Sequence, residues 1–147
     1  MADRLKNWLK LCKQQDRGAA AVEFALVAST LLMLVFGASV YGFYFSVMLA
    51  LDHAASEGAR ASLTAMNAAE RSTIAQEQVD RVLNAYSGLI NTDLIEQRIG
   101  PAADNPGLFE VELRYQFSAT SFGQLSGIVP LPAEEPNVIA TVSNGGY

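Results

Sequence analysis

At 147 residues the chain has room for one small domain and an anchor, and half of its residues are hydrophobic, with a mean hydropathy of +0.18 that is high for a soluble protein of this size. The formal charge of −5 conceals an asymmetry: residues 1–18 carry five basic side chains against two acids, whereas residues 52–147 carry five arginines against twelve acids. An acidic body without a basic patch argues against a nucleic-acid partner, and a single cysteine, Cys12, leaves no disulfide to form.

The chain opens on a basic leader, Arg4, Lys6, Lys10, Lys13 and Arg17, that ends at Gly18; lysine does not recur after Lys13. One acid, Glu23, follows, and from Phe24 to Leu51 no side chain is charged. Basic residues ahead of an apolar run keep the N-terminus cytoplasmic and send the acidic remainder across the membrane. Cys12 then sits on the reducing side as an ordinary thiol. Lys10 and Leu11 before it are not the small residues that lipoprotein processing wants.

The run 24–51 would make roughly 42 Å of helix, more than the roughly 30 Å of a hydrocarbon core. Tyr41, Phe43, Tyr44 and Phe45 fall where an outer aromatic belt belongs. The expected span is therefore 23–45, with the helix continuing outward through 46–62. A cleaved secretory signal fits poorly, because its apolar core is usually about 7–15 residues and is closed by a small-residue site. Within the helix, Ala38, Gly42, Ser46, Ala50, Ala54, Gly58 and Ser62 form a row of small residues at spacings of four. Such rows let helices approach closely in membranes. A period of four drifts around a helix of 3.6 residues per turn, which suits contact with several neighbours. The competing reading is chance, since the stretch is rich in small residues.

Residues 52–87 lack proline and are rich in helix formers. Ala75, Val79, Val82 and Tyr86, flanked by Ile74 and Leu83, make an amphipathic stripe. Asn67 and Ser72-Thr73 are candidate interruptions and Gly88 a candidate stop. The expectation is one long helix or two nearly collinear ones.

After the turn signals of Gly100 to Gly107, Phe109, Val111, Leu113, Tyr115 and Phe117 alternate with polar residues, the strongest strand signal in the chain. Val138, Ala140 and Val142 predict a second strand, and 94–99 a third. Between them, 118–136 is a loop rich in Ser, Gly and Pro. Two or three strands need a helix over their apolar face, and the stripe of 74–86 is the natural cover. The predicted fold class is α+β: a long N-terminal transmembrane helix continuing into a helical segment packed on a small antiparallel sheet. The predicted organisation is a leader at 1–18, a transmembrane and assembly helix at 19–51, and an exported module at 52–147.

Reactive chemistry is sparse. The one histidine, His53, adjoins Asp52, but neighbours on a helix face different ways and make no triad. No His or Cys cluster offers a transition-metal site, and there is no phosphate loop. Glu134-Glu135 read as solvated acids in a proline-flanked loop. The expectation is a protein without enzymatic activity, catalytic residues, metal or cofactor, with a membrane-tethered enzyme as the disfavoured alternative.

Residues 17–61, RGAAAVEFALVASTLLMLVFGASVYGFYFSVMLALDHAASEGARA, resemble the TadE-like pseudopilins of the Tad (tight adherence) pilus system. The matching positions are Gly18, Ala19, Val22, Glu23, Phe24, Phe36, Gly37, Ala55, Gly58, Ala59, Arg60 and Ala61. The resemblance implies a single-pass protein of the bacterial inner membrane with its C-terminal module in the periplasm. It implies cleavage of the leader between Gly18 and Ala19 by a prepilin peptidase, with Glu23 as the fifth residue of the mature chain. It also implies a structural role in Flp pilus assembly, adhesion or secretion, alongside other pilins or pseudopilins and an inner-membrane assembly platform. The length favours a minor component. The runner-up is an uncleaved signal-anchored protein whose outer module binds other envelope components.

The residue chemistry agrees with this implication. A glycine at the scissile bond leaves the backbone accessible to a narrow cleft. A carboxylate one turn into the mature helix could pair with a neighbouring subunit's N-terminal amine and fix axial register. The alternative is that an acid in the first turn suits the helix dipole and simply faces the headgroups. Acids inside membrane segments are, however, usually functional.

Overall fold

A computed structural model describes residues 2–125, 130–133 and 135–143. Glu134, residues 126–129 within the long loop, and the side chains of the leader, Cys12 included, lie outside what it describes. The elements are helix α1 (Ala2–Ser62), helix α2 (Ala68–Ala85) and strands β1 (Ile95–Pro101), β2 (Leu108–Tyr115) and β3 (Asn137–Ser143). The chain divides into two compact units, Met1–Ser39 and Val40–Tyr147.

The first unit is helical, because residues 2–39 contain no proline and their apolar stretch is dominated by Ala, Leu and Val. From Gly18 onward nearly every side chain is exposed, Phe24 at 74% and Leu34 at 67%. Its hydroxyls are satisfied within the helix. Ser29 donates to the carbonyl of Ala25, Thr30 to that of Leu26 and Ser39 to that of Val35. These three hydroxyls thus add no unpaired donor to the exposed surface of the helix.

The second unit begins with the remainder of α1. Val40, Tyr44, Val47, Ala50, Leu51, Ala54, Ala55 and Ala59 are all buried, so residues 40–51, apolar enough to read as anchor, supply core. The two helices are not collinear, contrary to the sequence expectation. Residues 63–67 reverse the chain, and α2 returns along α1, bringing Val79 to Gly58 and Tyr86 to His53. Both helices carry an apolar side, and folding back buries both, which a straight arrangement would leave in water. Asn67 is the N-cap: its Oδ1 accepts from Glu70 N at 2.8 Å, and Glu70 Oε2 accepts from Met66 N at 2.9 Å. Ser72-Thr73 does not interrupt α2; the Thr73 hydroxyl bonds back to Ala69 O at 3.2 Å.

The sheet is antiparallel in the order β1-β2-β3. All three expected strands are present. Phe117 leaves the strand for a short 3₁₀ turn, Phe117–Ala119, yet stays fully buried. The register aligns Ile95, Gln97 and Ile99 with Tyr115, Leu113 and Val111, and aligns those in turn with Val138 and Ala140. This face carries the core, with Phe109, Val111, Leu113 and Tyr115 each 2% exposed or less. Burial of each such large apolar side chain contributes roughly 1.5–3 kcal/mol. In α2, Ala75, Val79 and Leu83 form the buried stripe that the spacing predicts. The α+β class stands: a long apolar helix, a second helix and a three-stranded antiparallel sheet.

Gly58 is where the helices come closest. A Cβ there would lie 2.5 Å from Val79 Cγ2 and 3.2 Å from Ala75 O. Gly58→Val is expected to destabilise the protein by about 1–3 kcal/mol through overpacking. Gly42→Val, where a Cβ meets nothing within 4 Å, is expected to spare the fold. Thermal unfolding in detergent compares the two.

Burial raises the pKa of the Tyr115 phenol, with the Asn91 backbone pulling weakly the other way. The unfolded phenol ionises near pH 10, before the folded one does. The phenol's contribution is therefore intact below about pH 10 and is lost as pH rises toward the folded-state value. Tyr115→Phe is expected to keep the packing and to lessen the alkaline loss of stability, read from unfolding midpoints between neutral and strongly alkaline pH.

Candidate membrane and assembly interface

Only one helical segment among the described residues, Gly18–Ser62, is long and apolar enough to cross a membrane. Counted from Phe24, about 20 residues at 1.5 Å each make the roughly 30 Å of a hydrocarbon core and end at Phe43. The apolar run continues to Leu51, and the surplus is accounted for: Tyr44, Val47, Ala50 and Leu51 are buried in the second unit. The same holds for two of the four aromatics read as an outer belt. Phe43 lies 4.7 Å, ring centre to ring centre, from Phe122, and Tyr44 packs edge-on against Phe117 at 5.5 Å. Phe45 remains 62% exposed, and Tyr41 is half-buried with its hydroxyl donating to Pro130 O.

Gly18 and Ala19 lie on the exposed helix. A Cβ at Gly18 would meet nothing within 4 Å, and its φ is not positive, so the fold itself places no demand for glycine there. Glu23 is exposed, one turn further along, and makes no ion pair among the described residues. A carboxylate so placed is available to a partner outside the chain.

The row of small residues divides in two. Ala38 and Gly42 are exposed and Ser46 is half-buried, whereas Ala50, Ala54, Gly58 and Ser62 are buried within the second unit. The drift of a four-residue period explains the division: the row starts on the outer side of α1 and winds beneath α2 and the sheet. Ala50, Ala54, Gly58 and Ser62 are thus covered within the chain, while Ala38 and Gly42 are open on the helix surface.

His53 Nδ1 lies 3.2 Å from Tyr86 Oη, with the rings edge-on, and joins the two helices of the hairpin. Asp52 beside it is exposed. Among the described residues no three His, Cys, Asp or Glu side chains gather as metal ligands.

The sheet face away from the core holds a feature that the sequence reading does not contain. Glu112, at the centre, faces Arg98 at 3.6 Å and Arg114 at 3.6 Å, and accepts from Asn137 Nδ2 at 3.0 Å. Arg114 reaches Glu135 at 3.9 Å, and Gln116 Nε2 donates to Glu96 Oε1 at 2.7 Å. Glu96, Gln97, Arg98, Glu112 and Arg114 line an open depression of about 280 Å³. The charges answer one another and tie the three strands together. Strand alternation places Arg98, Glu112 and Arg114 on one face, but only the pairing register sets Arg98 opposite Glu112.

A family model, that of the TadE-like proteins, matches residues 18–60. It covers the segment on which the sequence resemblance rests, beginning at Gly18 and ending at Arg60. No curated protein and no solved structure matches the chain. The sheet and its charged face lie beyond the matched segment. There Glu112→Ala is expected to cost roughly 1–3 kcal/mol, because it leaves two guanidiniums and an amide without their shared acceptor. Arg98→Ala, at an exposed end of the network, is expected to cost no more than about 1 kcal/mol. Denaturant unfolding of the detergent-solubilised chain separates the two.

Proposed function

We propose that this chain, with a TadE-like segment at its N-terminal helix, is a minor pseudopilin of a Tad/Flp (type IVb-like) pilus system. In this reading a prepilin peptidase cuts after Gly18 on the cytoplasmic side of the bacterial inner membrane. Ala19 becomes the N-terminus, and the α+β module stands in the periplasm. The protein acts structurally, not as an enzyme, in pilus biogenesis or secretion. It works with other pilins or pseudopilins, the inner-membrane assembly platform and membrane lipid.

One observation carries the proposal: the family match begins at the glycine that the cleavage requires and runs through the whole exposed helix. The geometry supports it at three further points. Gly18 has no packing role that would otherwise explain it. Glu23 is exposed and unpaired among the described residues, so its carboxylate can meet the new amine of a neighbouring subunit. The exposed small residues Ala38 and Gly42 lie on the same helix and permit close lateral packing.

Cleavage is tested by the N-terminal sequence and intact mass of the membrane-extracted protein, from cells with and without their prepilin peptidase. A chain beginning at Ala19 only when the peptidase is present is the expected result. A leader retained in both strains overturns the pseudopilin reading and leaves a signal-anchored envelope protein. Glu23→Gln is expected to be cleaved normally and to lower piliation, counted by electron microscopy. Normal piliation in that variant removes Glu23 from assembly.

A further inference from the structure

We propose that the two flanks of the loop between β2 and β3, residues 117–125 and 130–133, form a lipid-contacting collar seated in the headgroup layer of the membrane's outer face. From Tyr115 to Ala133 no residue is charged, in a module otherwise dense with acids and arginines. Residues 126–129 lie outside the described structure, and the proposal concerns the flanking parts, 117–125 and 130–133.

These parts pack against one short section of α1. Phe122 stacks on Phe43, and Phe117 contacts both Phe43 and Tyr44. Pro130 accepts the hydroxyl of Tyr41. That section is where a span counted from Phe24 leaves the hydrocarbon, about 30 Å along the helix. The interfacial layer beyond it is about 5–8 Å deep, or roughly four to five residues of helix. The loop is thus anchored across the boundary where hydrocarbon gives way to headgroups.

Its outward side chains suit that layer. Ser118, Ala119, Ser121, Gln124, Pro130, Pro132 and Ala133 are exposed, and all are neutral. The Thr120 hydroxyl donates to Phe117 O at 2.7 Å and accepts from Gly123 N at 3.0 Å, so the turn satisfies its own polar groups. Phe45, 62% exposed, and Tyr41 extend the same level with the residue types that favour membrane interfaces. A charged loop here would be drawn out into water, whereas a neutral one can settle among the headgroups.

The inference rests on the membrane span of the proposed function, not on cleavage or pilus assembly. The test uses the full chain with Cys12→Ser, reconstituted into phosphatidylethanolamine–phosphatidylglycerol vesicles. Single cysteines are introduced by Leu31→Cys, Ser121→Cys, Gln124→Cys or Asp104→Cys, and each carries an environment-sensitive fluorophore. Leu31 reports the span, and its label is expected to be quenched by lipid bearing a nitroxide deep in the acyl chain. Labels at Ser121 and Gln124 are expected to be quenched by a headgroup nitroxide at least about twofold more than the label at Asp104, which stands for the water-exposed module. Equal quenching at Ser121, Gln124 and Asp104, with Leu31 deeply quenched, overturns the collar while keeping the span. An unquenched Leu31 overturns both. Circular dichroism of each labelled protein excludes unfolded variants from the comparison.

Discussion

The second unit depends on the approach of two helices at Gly58. There α2 lies so close to α1 that even a methyl group would meet Val79 Cγ2 and the carbonyl of Ala75. The alanines around it, Ala54, Ala55, Ala59 and Ala75, keep both helix surfaces low. Because the helices are close, they can share a single sheet face, and β2 supplies the large side chains that fill it: Phe109, Val111, Leu113 and Tyr115. A core made of small residues on the helices and large ones on the central strand is self-consistent. Enlarging the helix side would force apart every layer that follows.

Helix α1 has an exposed part and a buried part. Over its exposed part it closes its hydroxyls onto its own carbonyls and turns branched and aromatic side chains outward. From Val40 the same kind of apolar composition serves a protein interior. The hydropathy of the run does not distinguish these uses, because lipid and protein core select the same atoms. The distinction lies in residue size. Before Ser39 large residues such as Phe24, Leu34 and Phe36 stand exposed, while after Val47 Ala50, Ala54, Ala55, Gly58 and Ala59 lie on the buried side, where another helix must fit.

This explains how far the sequence could be read. The strand alternation at 109–117, the stripe at 75–86 and the apolar run are local periodic signals, and each marks an element of the fold. The hairpin of α1 and α2 was not legible. Asn67 announces a cap, but a cap does not state in which direction the next helix departs. The division of the small row needed the position of α2, which no spacing within α1 contains. The charged face was half legible: alternation puts Glu112 and Arg114 on one side of their strand, while the neighbour at Arg98 depends on register. Gly18 and Glu23 stand out in the sequence alone, and the fold adds only that both are exposed and that nothing packs where a Cβ of Gly18 would lie.

The order of the sheet carries a consequence for how the module comes into being. β1 and β2 are joined by a short turn and can pair as soon as both are present, but the partner for the other edge of β2 arrives only after the long neutral loop. Until β3 docks, the central strand has bare backbone groups along one side, flanking Val111 and Leu113, a state prone to mispairing with other chains. Closing a long loop is also slower than closing a tight hairpin. While the module folds, its most apolar strand is therefore half-sheathed until β3 docks.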